Sequence, residues 1–141
     1  MTMLPPLPVL DPLTTPFWEG CHRHELLIQH CLACGSRRFP PGPVCLECRS
    51  DQAEWRPARG LATVFSWIVV RHPIPAEVYA SEVPYVVALV DLEEGVRMVT
   101  NIIGCAPEAV TAGMRLEVVY KDVNETVTLP QFRPVGIPER A

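Results

Sequence analysis

The pattern of apolar and polar residues changes near residue 60, where Pro57 and Gly60 interrupt the chain. Before this point the apolar stretches are short and are separated by cysteines, prolines and polar residues. After it, runs of branched and aromatic residues such as Leu61–Val70 and Tyr85–Val90 predominate, and Leu116–Lys121 alternates strictly. Such runs and such alternation are typical of β-strands. The pattern therefore predicts a small, loop-rich first part and an all-β second part.

The second part is predicted to contain five strands, with one helical turn at Pro107–Val110 between the third and the fourth. Glu93–Gly95 favours a solvated hairpin turn, and residues 71–84, with three prolines, favour a mobile loop. Pro130 is expected either to end the last strand or to place it at an edge of the sheet. This strand count is that of an OB-fold barrel, with a five-stranded SH3-like barrel as the alternative. The predicted strands are Leu61–Val70, Tyr85–Val90, Val96–Ile103, Leu116–Lys121 and Thr126–Leu129.

The first part is predicted to hold a short helix and a three-stranded ribbon. The 16 prolines argue against long helices, and their recurrence before residue 17 favours an extended N-terminal arm. Thr15 and Pro16 indicate a helix start, as a hydroxyl N-cap followed by proline at the first helical position. The mainly β chain is thus divided into arm and helix (residues 1–25), ribbon (26–57) and barrel (58–141). The ribbon strands are predicted at Leu26–His30, Arg37–Phe39 and Ala53–Arg56.

Two Cys-x-x-Cys pairs, Cys31/Cys34 and Cys45/Cys48, are separated by ten residues that include glycines and prolines. Each pair can fold as a tight knuckle that places two sulfurs about 2.3 Å from one metal ion. A redox dithiol or a pair of disulfides is the alternative, but two tandem pairs are typical of zinc ribbons. We therefore predict one structural zinc site in a rubredoxin-like ribbon, with these four cysteines as its ligands.

The remaining cysteines and the nearby histidines are not expected to take part in chemistry. Cys21 and Cys105 are expected to be small buried apolar residues. His24 and His30 lie close to the pairs in sequence, but four thiolates already complete a closed site. The chain also contains no Gly-x-Ser-x-Gly elbow, phosphate loop or dinucleotide fingerprint, so the sequence predicts no catalytic residues.

Charge and composition narrow the possible partners. The net charge is −4, although residues 21–60 carry six arginines against four acids. There is no basic stripe along the chain, which makes a nucleic-acid-binding function unlikely. The first residues do not form a signal peptide and no apolar run reaches the length of a membrane span. Together with unpaired cysteines in metal spacing, this predicts a cytoplasmic protein.

Phe17 and Trp18 are two large aromatic residues on a short predicted helix. They can fold back onto the ribbon, or they can anchor a partner protein, because buried aromatic side chains dominate interface energetics. Both possibilities remain open from the sequence.

A series of short stretches occurs in an order that one family shares. Phe17–Gly20 and Leu26–Gln29 precede Cys31, while Pro84–Val90 and Thr100–Cys105 lie in the predicted barrel. Phe39-Pro40-Pro41, Gly60-x-x-x-Val64-Phe65-Ser66 and the tail from Gly113 to Pro134 extend the likeness. The chain resembles the zinc-ribbon plus OB-fold family of acyl-CoA-associated proteins, long catalogued as a domain of unknown function. The resemblance implies a non-catalytic accessory subunit of a thiolase-like enzyme.

The resemblance also implies acyl-CoA as a ligand, and CoA needs cations for its phosphates and an apolar slot for pantetheine. The candidate CoA-binding residues are Arg37, Arg38, Phe39, Arg56, Arg59 and Arg71. Arg37 and Arg38 are adjacent in a predicted strand, so they are expected to point to opposite faces. The alternative function is a module that binds single-stranded nucleic acid, because ribbons and OB-folds both do so elsewhere. Fold analogy alone supports that alternative.

Overall fold

The computed structural model describes residues 5–136, and its first part is a helix followed by a three-stranded sheet. Helix α1 covers Thr15–His22, and the antiparallel strands are β1 (Leu27–Cys31), β2 (Arg37–Arg38) and β3 (Ala53–Pro57). The sheet order is β2-β1-β3. Because β1 lies in the centre and leads directly into Cys31, it aligns the first cysteine pair with the returning strands.

The second part is a closed five-stranded barrel in the order β4-β5-β6-β8-β7. All neighbouring pairs are antiparallel except β6 and β8, which meet in parallel at Ile102 and Phe132. A single 3₁₀ turn, Pro107–Ala109, stands between the third and fourth strands. The mainly β fold with a ribbon and an OB-fold barrel is therefore confirmed. The strands are β4 (Leu61–Val70), β5 (Tyr85–Leu92), β6 (Arg97–Ile102), β7 (Arg115–Asp122) and β8 (Thr128–Pro134).

Three local predictions differ from the structure. Pro130 does not end the last strand, because β8 continues through it to Pro134 opposite β7. Residues 71–84 contain a short helix, α2 (Ala76–Tyr79), whose Val78 is buried. Thr14, not Thr15, is the N-cap of α1, and its hydroxyl makes no cap hydrogen bond.

Asp11 replaces the expected hydroxyl cap. Its side-chain Oδ1 accepts hydrogen bonds from the backbone N–H and the hydroxyl of Thr14 at 2.8 and 3.0 Å. The hydroxyl of Thr15 donates to the Asp11 carbonyl at 2.6 Å. The two bonds from Thr14 lower the pKa of Asp11 below its ordinary value, and the backbone N–H contributes more than the hydroxyl. Asp11, four residues before the start of α1, thus fixes the turn that connects the arm to the helix.

One continuous hydrophobic core joins the helix and ribbon to the barrel. Phe17 and Cys21 of α1 and Ile28 of β1 are almost fully buried in the same cluster as Val64 and Phe132 of the barrel. The core continues across the predicted domain boundaries after residues 25 and 57. These boundaries therefore stay predictions about the sequence.

Candidate metal centre and interdomain cleft

The four predicted zinc ligands converge on one point at the end of the ribbon. The Sγ atoms of Cys31, Cys34, Cys45 and Cys48 all lie within 4.8 Å of one another. The Cys31–Cys48 and Cys34–Cys45 sulfur pairs are 3.5 and 3.6 Å apart. A regular tetrahedron with metal–sulfur bonds of about 2.3 Å has edges of about 3.8 Å. The sulfurs are thus already spaced for one tetrahedral ion.

The two knuckles are built by the same set of backbone hydrogen bonds. In the first, Cys31 N–H donates to Ser36 O and Gly35 N–H donates to Cys31 O. In the second, Cys45 N–H donates to Ser50 O and Arg49 N–H donates to Cys45 O. Gly35 and Arg49 occupy the same position and both have a left-handed backbone, at φ +76° and +65°.

Polar groups around the cluster stabilise thiolates. The Ser36 hydroxyl lies 3.2 Å from Cys34 Sγ and 3.1 Å from Cys45 Sγ, and Glu47 N–H donates to Cys45 Sγ at 3.4 Å. The Ser36 hydroxyl, helped by the backbone N–H groups, lowers the pKa of Cys45 to about 6. The backbone N–H of Cys34 likewise lowers the pKa of Cys31. The lowered pKa values of Cys31 and Cys45 therefore favour the thiolate form in two of the four ligands.

Four thiolates this close need a cation. The backbone N–H of Ser50 lowers the pKa of Cys48, but the other cysteines oppose it and the pKa rises to about 12. A divalent ion removes this repulsion, and thiolates in a tetrahedron are the donor set that zinc prefers. The rubredoxin-like ribbon is therefore suited to one structural zinc ion, as predicted. With four protein ligands the ion has no open position, so it shapes the chain and does not activate water.

Replacing Arg49 with glycine is expected to stabilise the second knuckle. A side chain in the left-handed region costs about 1–2 kcal/mol, and the greater freedom of unfolded glycine returns about 0.5–1 kcal/mol of this. We expect the free energy of unfolding of the zinc-loaded protein to rise by about 0.5–1 kcal/mol in denaturant titrations.

Gly35→Ala is the matched control for Arg49→Gly. A Cβ at Gly35 would meet no atom within 4 Å, so its only cost is the left-handed backbone. We expect a loss of about 1 kcal/mol, the reverse of the effect at Arg49. Destabilisation by Arg49→Gly would show that contacts of the arginine outweigh its backbone strain.

The structure gathers some of the predicted CoA-binding residues at an open cleft between ribbon and barrel. Arg37 and Arg59 line this cleft of about 600 Å³, together with His30 and the β5–β6 turn residues Glu93 and Glu94. Burial, followed by the charges of Arg56 and Arg37, lowers the pKa of His30. Arg56 lies on β3, two residues along from the residue opposite His30 and on the same face of the sheet. Three of the five arginine candidates thus lie at or beside one cleft.

The β5–β6 turn holds the two sides of this cleft together. The Arg37 guanidinium donates to the Glu94 carbonyl at 2.9 Å, and the backbone N–H of Arg59 donates to the Glu94 carboxylate at 2.9 Å. Arg59 also pairs with Glu93 at 3.3 Å. The sequence suggested only a solvated hairpin turn here. The sequence around Glu94 does not reveal that this turn joins the ribbon to the barrel, because its partner in the ribbon, Arg37, is 57 residues away.

The other CoA-binding candidates lie elsewhere. Arg38 points to the opposite face of β2 from Arg37 and donates to the Gln29 side chain and the Gly42 carbonyl, each at 2.9 Å. Phe39 packs against Phe17 with a ring-centre distance of 5.2 Å. Arg71 follows the far end of β4 and pairs with Glu108 at 3.4 Å. The structure does not bring these three to the cleft, and CoA binding by all six residues stays a prediction.

The aromatic pair Phe17 and Trp18 divides between core and surface. Phe17 is only 4% exposed and packs on Phe39, so for this residue the structure shows the packing onto the ribbon. Trp18 is partly exposed and lies edge-on to Phe17 at 5.0 Å. Trp18 is therefore the residue of the pair that a partner could reach.

The remaining thiols do not form a reactive site. Cys21 is fully buried, and burial raises its pKa to about 12. Burial also raises the pKa of Cys105, which is partly exposed. Both are poor nucleophiles at neutral pH, because the thiolate is the reactive form. Within residues 5–136, no helix has the length and apolar character needed to cross a membrane.

The fold and the cluster define a zinc-ribbon protein with an OB-fold barrel, and two family models match the chain, one of each kind. A family model described as the ChsH2 rubredoxin-like zinc ribbon domain matches residues 18–54. Another, described as the ChsH2 C-terminal OB-fold domain, matches residues 55–121.

Similar proteins and structures identify the family. A DUF35 domain-containing scaffold protein of Methanocaldococcus jannaschii is 35% identical over 82% of this chain and 82% of its own length. The chain in a solved structure titled "Ltp2-ChsH2(DUF35) aldolase" is 41% identical, with a TM-score of 0.82, and the match covers 90% of this chain and 98% of that one. This chain belongs to the DUF35 family, as its motifs suggested.

A longer relative carries an enzyme subunit name. A probable enoyl-CoA hydratase alpha subunit of Thermomonospora curvata is 40% identical over 93% of this chain. The match spans only 40% of that relative's length. The name therefore describes a protein that is much longer than the region the two have in common.

Proposed function

We propose that this protein is a non-catalytic accessory subunit that docks on a thiolase-like partner and assists acyl-CoA binding or channelling. The observation that carries the proposal is the 41% identical chain, matched over 98% of its length, whose structure is titled as an aldolase of Ltp2 and ChsH2(DUF35). The names "scaffold" and "hydratase alpha subunit" of other relatives support an accessory role in acyl-CoA metabolism.

The chemistry of the chain supports this division of labour. A closed four-thiolate site cannot polarise a carbonyl, because catalytic zinc sites keep one position open for water or substrate. Burial keeps the thiols of Cys21 and Cys105 protonated. We therefore assign the reacting groups to the partner and propose a cytoplasmic location, where four free thiolates stay reduced.

For the acyl-CoA itself, we propose that its phosphates lie at the cleft between ribbon and barrel. Arg37 and Arg59 line the cleft, and Arg56 lies diagonally across the β1–β3 pair from the lining residue His30. Guanidinium groups bind phosphates through paired, charge-assisted hydrogen bonds. The Arg59 side chain is 77% exposed, so it can turn from Glu93 to a ligand without uncovering buried groups.

The test compares two of the predicted CoA-binding arginines in the assembled enzyme, because the proposed phosphate site contains Arg59 and leaves Arg71 out. Arg59 and Arg71 are both exposed and each makes one surface ion pair, but they lie at opposite ends of β4. This chain is co-expressed with the Ltp2 chain of the solved aldolase, and separately with candidate thiolase-like chains of the source organism, and KM for acyl-CoA is measured. Arg59→Ala is expected to raise KM about 10-fold with little change in kcat, while Arg71→Ala leaves both unchanged.

Two results would count against the proposal. If the wild-type chain neither assembles with a thiolase-like chain nor changes its activity, the accessory function is wrong. If Arg59→Ala and Arg71→Ala have equal effects on KM, the accessory function stands and the cleft is not where the phosphates bind.

A further inference from the structure

The outer surface of β4, β5 and β6 is unusually apolar for the exposed side of a small barrel. The strand register places Ser66, Leu89 and Val99 in one row, and Ile68, Val87 and Asn101 in the next. Phe65 lies at the edge of the first row, and Phe65, Ile68 and Val99 are 50%, 61% and 64% exposed. We call this surface, formed by Phe65, Ile68, Val87, Leu89 and Val99, the apolar face.

A β-bulge gives the apolar face two of its most exposed side chains. The pairing of β4 with β5 shifts between Val64 and Ser66, so that Phe65 and Ser66 both point outward. Beyond the bulge the alternation is reversed, which turns Trp67 toward the core and Ile68 toward solvent. Without the extra residue Ile68 would point inward, because side chains alternate along a strand.

The charged groups and the Asn101 amide on this surface are bonded within the chain. Arg97 pairs with Asp91 through two hydrogen bonds of 2.7 and 3.3 Å, and its guanidinium lies 3.5 Å above the centre of the Phe65 ring. The Asn101 side chain donates to the Val86 carbonyl at 2.9 Å. The face thus offers no unpaired charge to a polar ligand.

The opposite side of the same barrel is charged in the ordinary way. β7 and β8 carry Arg115, Glu117, Lys121 and Arg133 on their outer surfaces, with Glu117 and Arg133 paired at 2.9 Å. A sheet with one solvated face normally looks like this. The outer surface of β7 and β8 is charged, whereas that of β4, β5 and β6 is apolar. An exposed apolar surface of this kind is typical of a site that another apolar surface covers.

We propose that the apolar face is the docking surface for the thiolase-like partner; this inference rests on the proposed function. The occupant must be uncharged and apolar where it meets the face, because Arg97 and Asp91 already neutralise each other within the chain. A nucleic acid or an anionic lipid surface would need unpaired cations. A protein partner fits, and the solved aldolase that contains the 41% identical chain joins two proteins in its title.

The test introduces negative charge into the face and measures assembly. The double variant Ile68→Glu/Val99→Glu changes two exposed side chains, so the barrel is expected to fold, which circular dichroism checks. Wild-type and variant chains are titrated against two probes, the Ltp2 chain of the solved aldolase and a candidate thiolase-like chain of the source organism. Burying unpaired carboxylates is expected to raise Kd about 100-fold or more.

Leu46→Glu is the matched control, because Leu46 is an 88% exposed leucine at the second zinc knuckle. It is expected to leave Kd within about twofold of the wild-type value. Normal binding by the double variant, or equal loss by the double variant and Leu46→Glu, would overturn the assignment of the face. Self-association of the wild-type chain that the double variant abolishes would overturn it in favour of a second copy. If the wild-type chain binds neither probe, the accessory function itself is wrong and the docking face with it.

Discussion

Cys45→Ser is expected to release zinc and to unfold the ribbon, a larger effect than a substitution in the hydrophobic core should have. Cys45 is 1% exposed, and its sulfur lies 3.6 Å from Cys34 Sγ within the four-thiolate cluster. Zinc binding in comparable small peptides supplies about 10–16 kcal/mol, nearly all of it as folding free energy. Serine offers no thiolate, so three ligands remain and the knuckles lose the ion that offsets their mutual repulsion.

The effect should appear first in metal content and then in solubility and assembly. We expect less than one tenth of the wild-type zinc by atomic absorption, loss of soluble protein, and loss of partner binding. Cys34→Ser should behave in the same way. Because the ribbon shares a core with the barrel, the melting temperature of the whole chain should fall.

Cys105→Ser is the control, since Cys105 is a partly exposed thiol outside the cluster. It should retain one zinc per chain and melt within a few degrees of the wild-type protein. Full assembly and activity of the Cys45→Ser protein, or of wild-type protein stripped of zinc, would show that the metal does not hold the ribbon in shape.

The zinc site could be predicted because its determinants are local. Each Cys-x-x-Cys pair closes its own turn, and Gly35 has the backbone freedom that the first turn needs. Arg49 could not be predicted in the same position, since nothing in its side chain favours a left-handed backbone. The equivalence of Gly35 and Arg49 becomes visible only when the hydrogen bonds of the two knuckles are compared.

The barrel strands could be predicted, but their pairing partners and faces could not. An alternating pattern reports which side of a strand is buried only if the register is regular. The bulge at Phe65 reverses the alternation within β4, whereas a regular alternation that places Val64 in the core would also place Ile68 there. Pro130 likewise seemed to end a strand, although β8 continues through it. Both features depend on the neighbouring strand.

The cleft depends on contacts across still larger distances in sequence. Arg37 meets the Glu94 turn across 57 residues, so composition could identify arginines as candidates without grouping them. Arg38 shows the same limit, because its bonds to Gln29 and Gly42 make it part of the ribbon structure. The chemistry of an arginine shows that it can bind a phosphate, but it does not show which groups the side chain contacts in the folded protein.

Phe17→Ala is expected to lower the free energy of unfolding by about 3–5 kcal/mol, the usual cost of removing a buried aromatic side chain. Phe17 is 4% exposed and belongs to the core that also contains Ile28 of the ribbon and Phe132 of the barrel. Its loss should leave a cavity where helix, ribbon and barrel meet. Denaturant titration should therefore show one transition at lower denaturant concentration, with both parts destabilised together.

Trp18→Ala separates packing from partner binding on the same helix. Trp18 is partly exposed, so its removal should cost less stability than that of Phe17. If Trp18 contacts the partner, Trp18→Ala should weaken assembly more than its small stability loss explains, since aromatic side chains contribute strongly at interfaces. Phe17→Ala should weaken assembly only in proportion to the fraction of unfolded chains. A Phe17→Ala protein of wild-type stability that fails to bind would mean that Phe17 leaves the core to meet the partner.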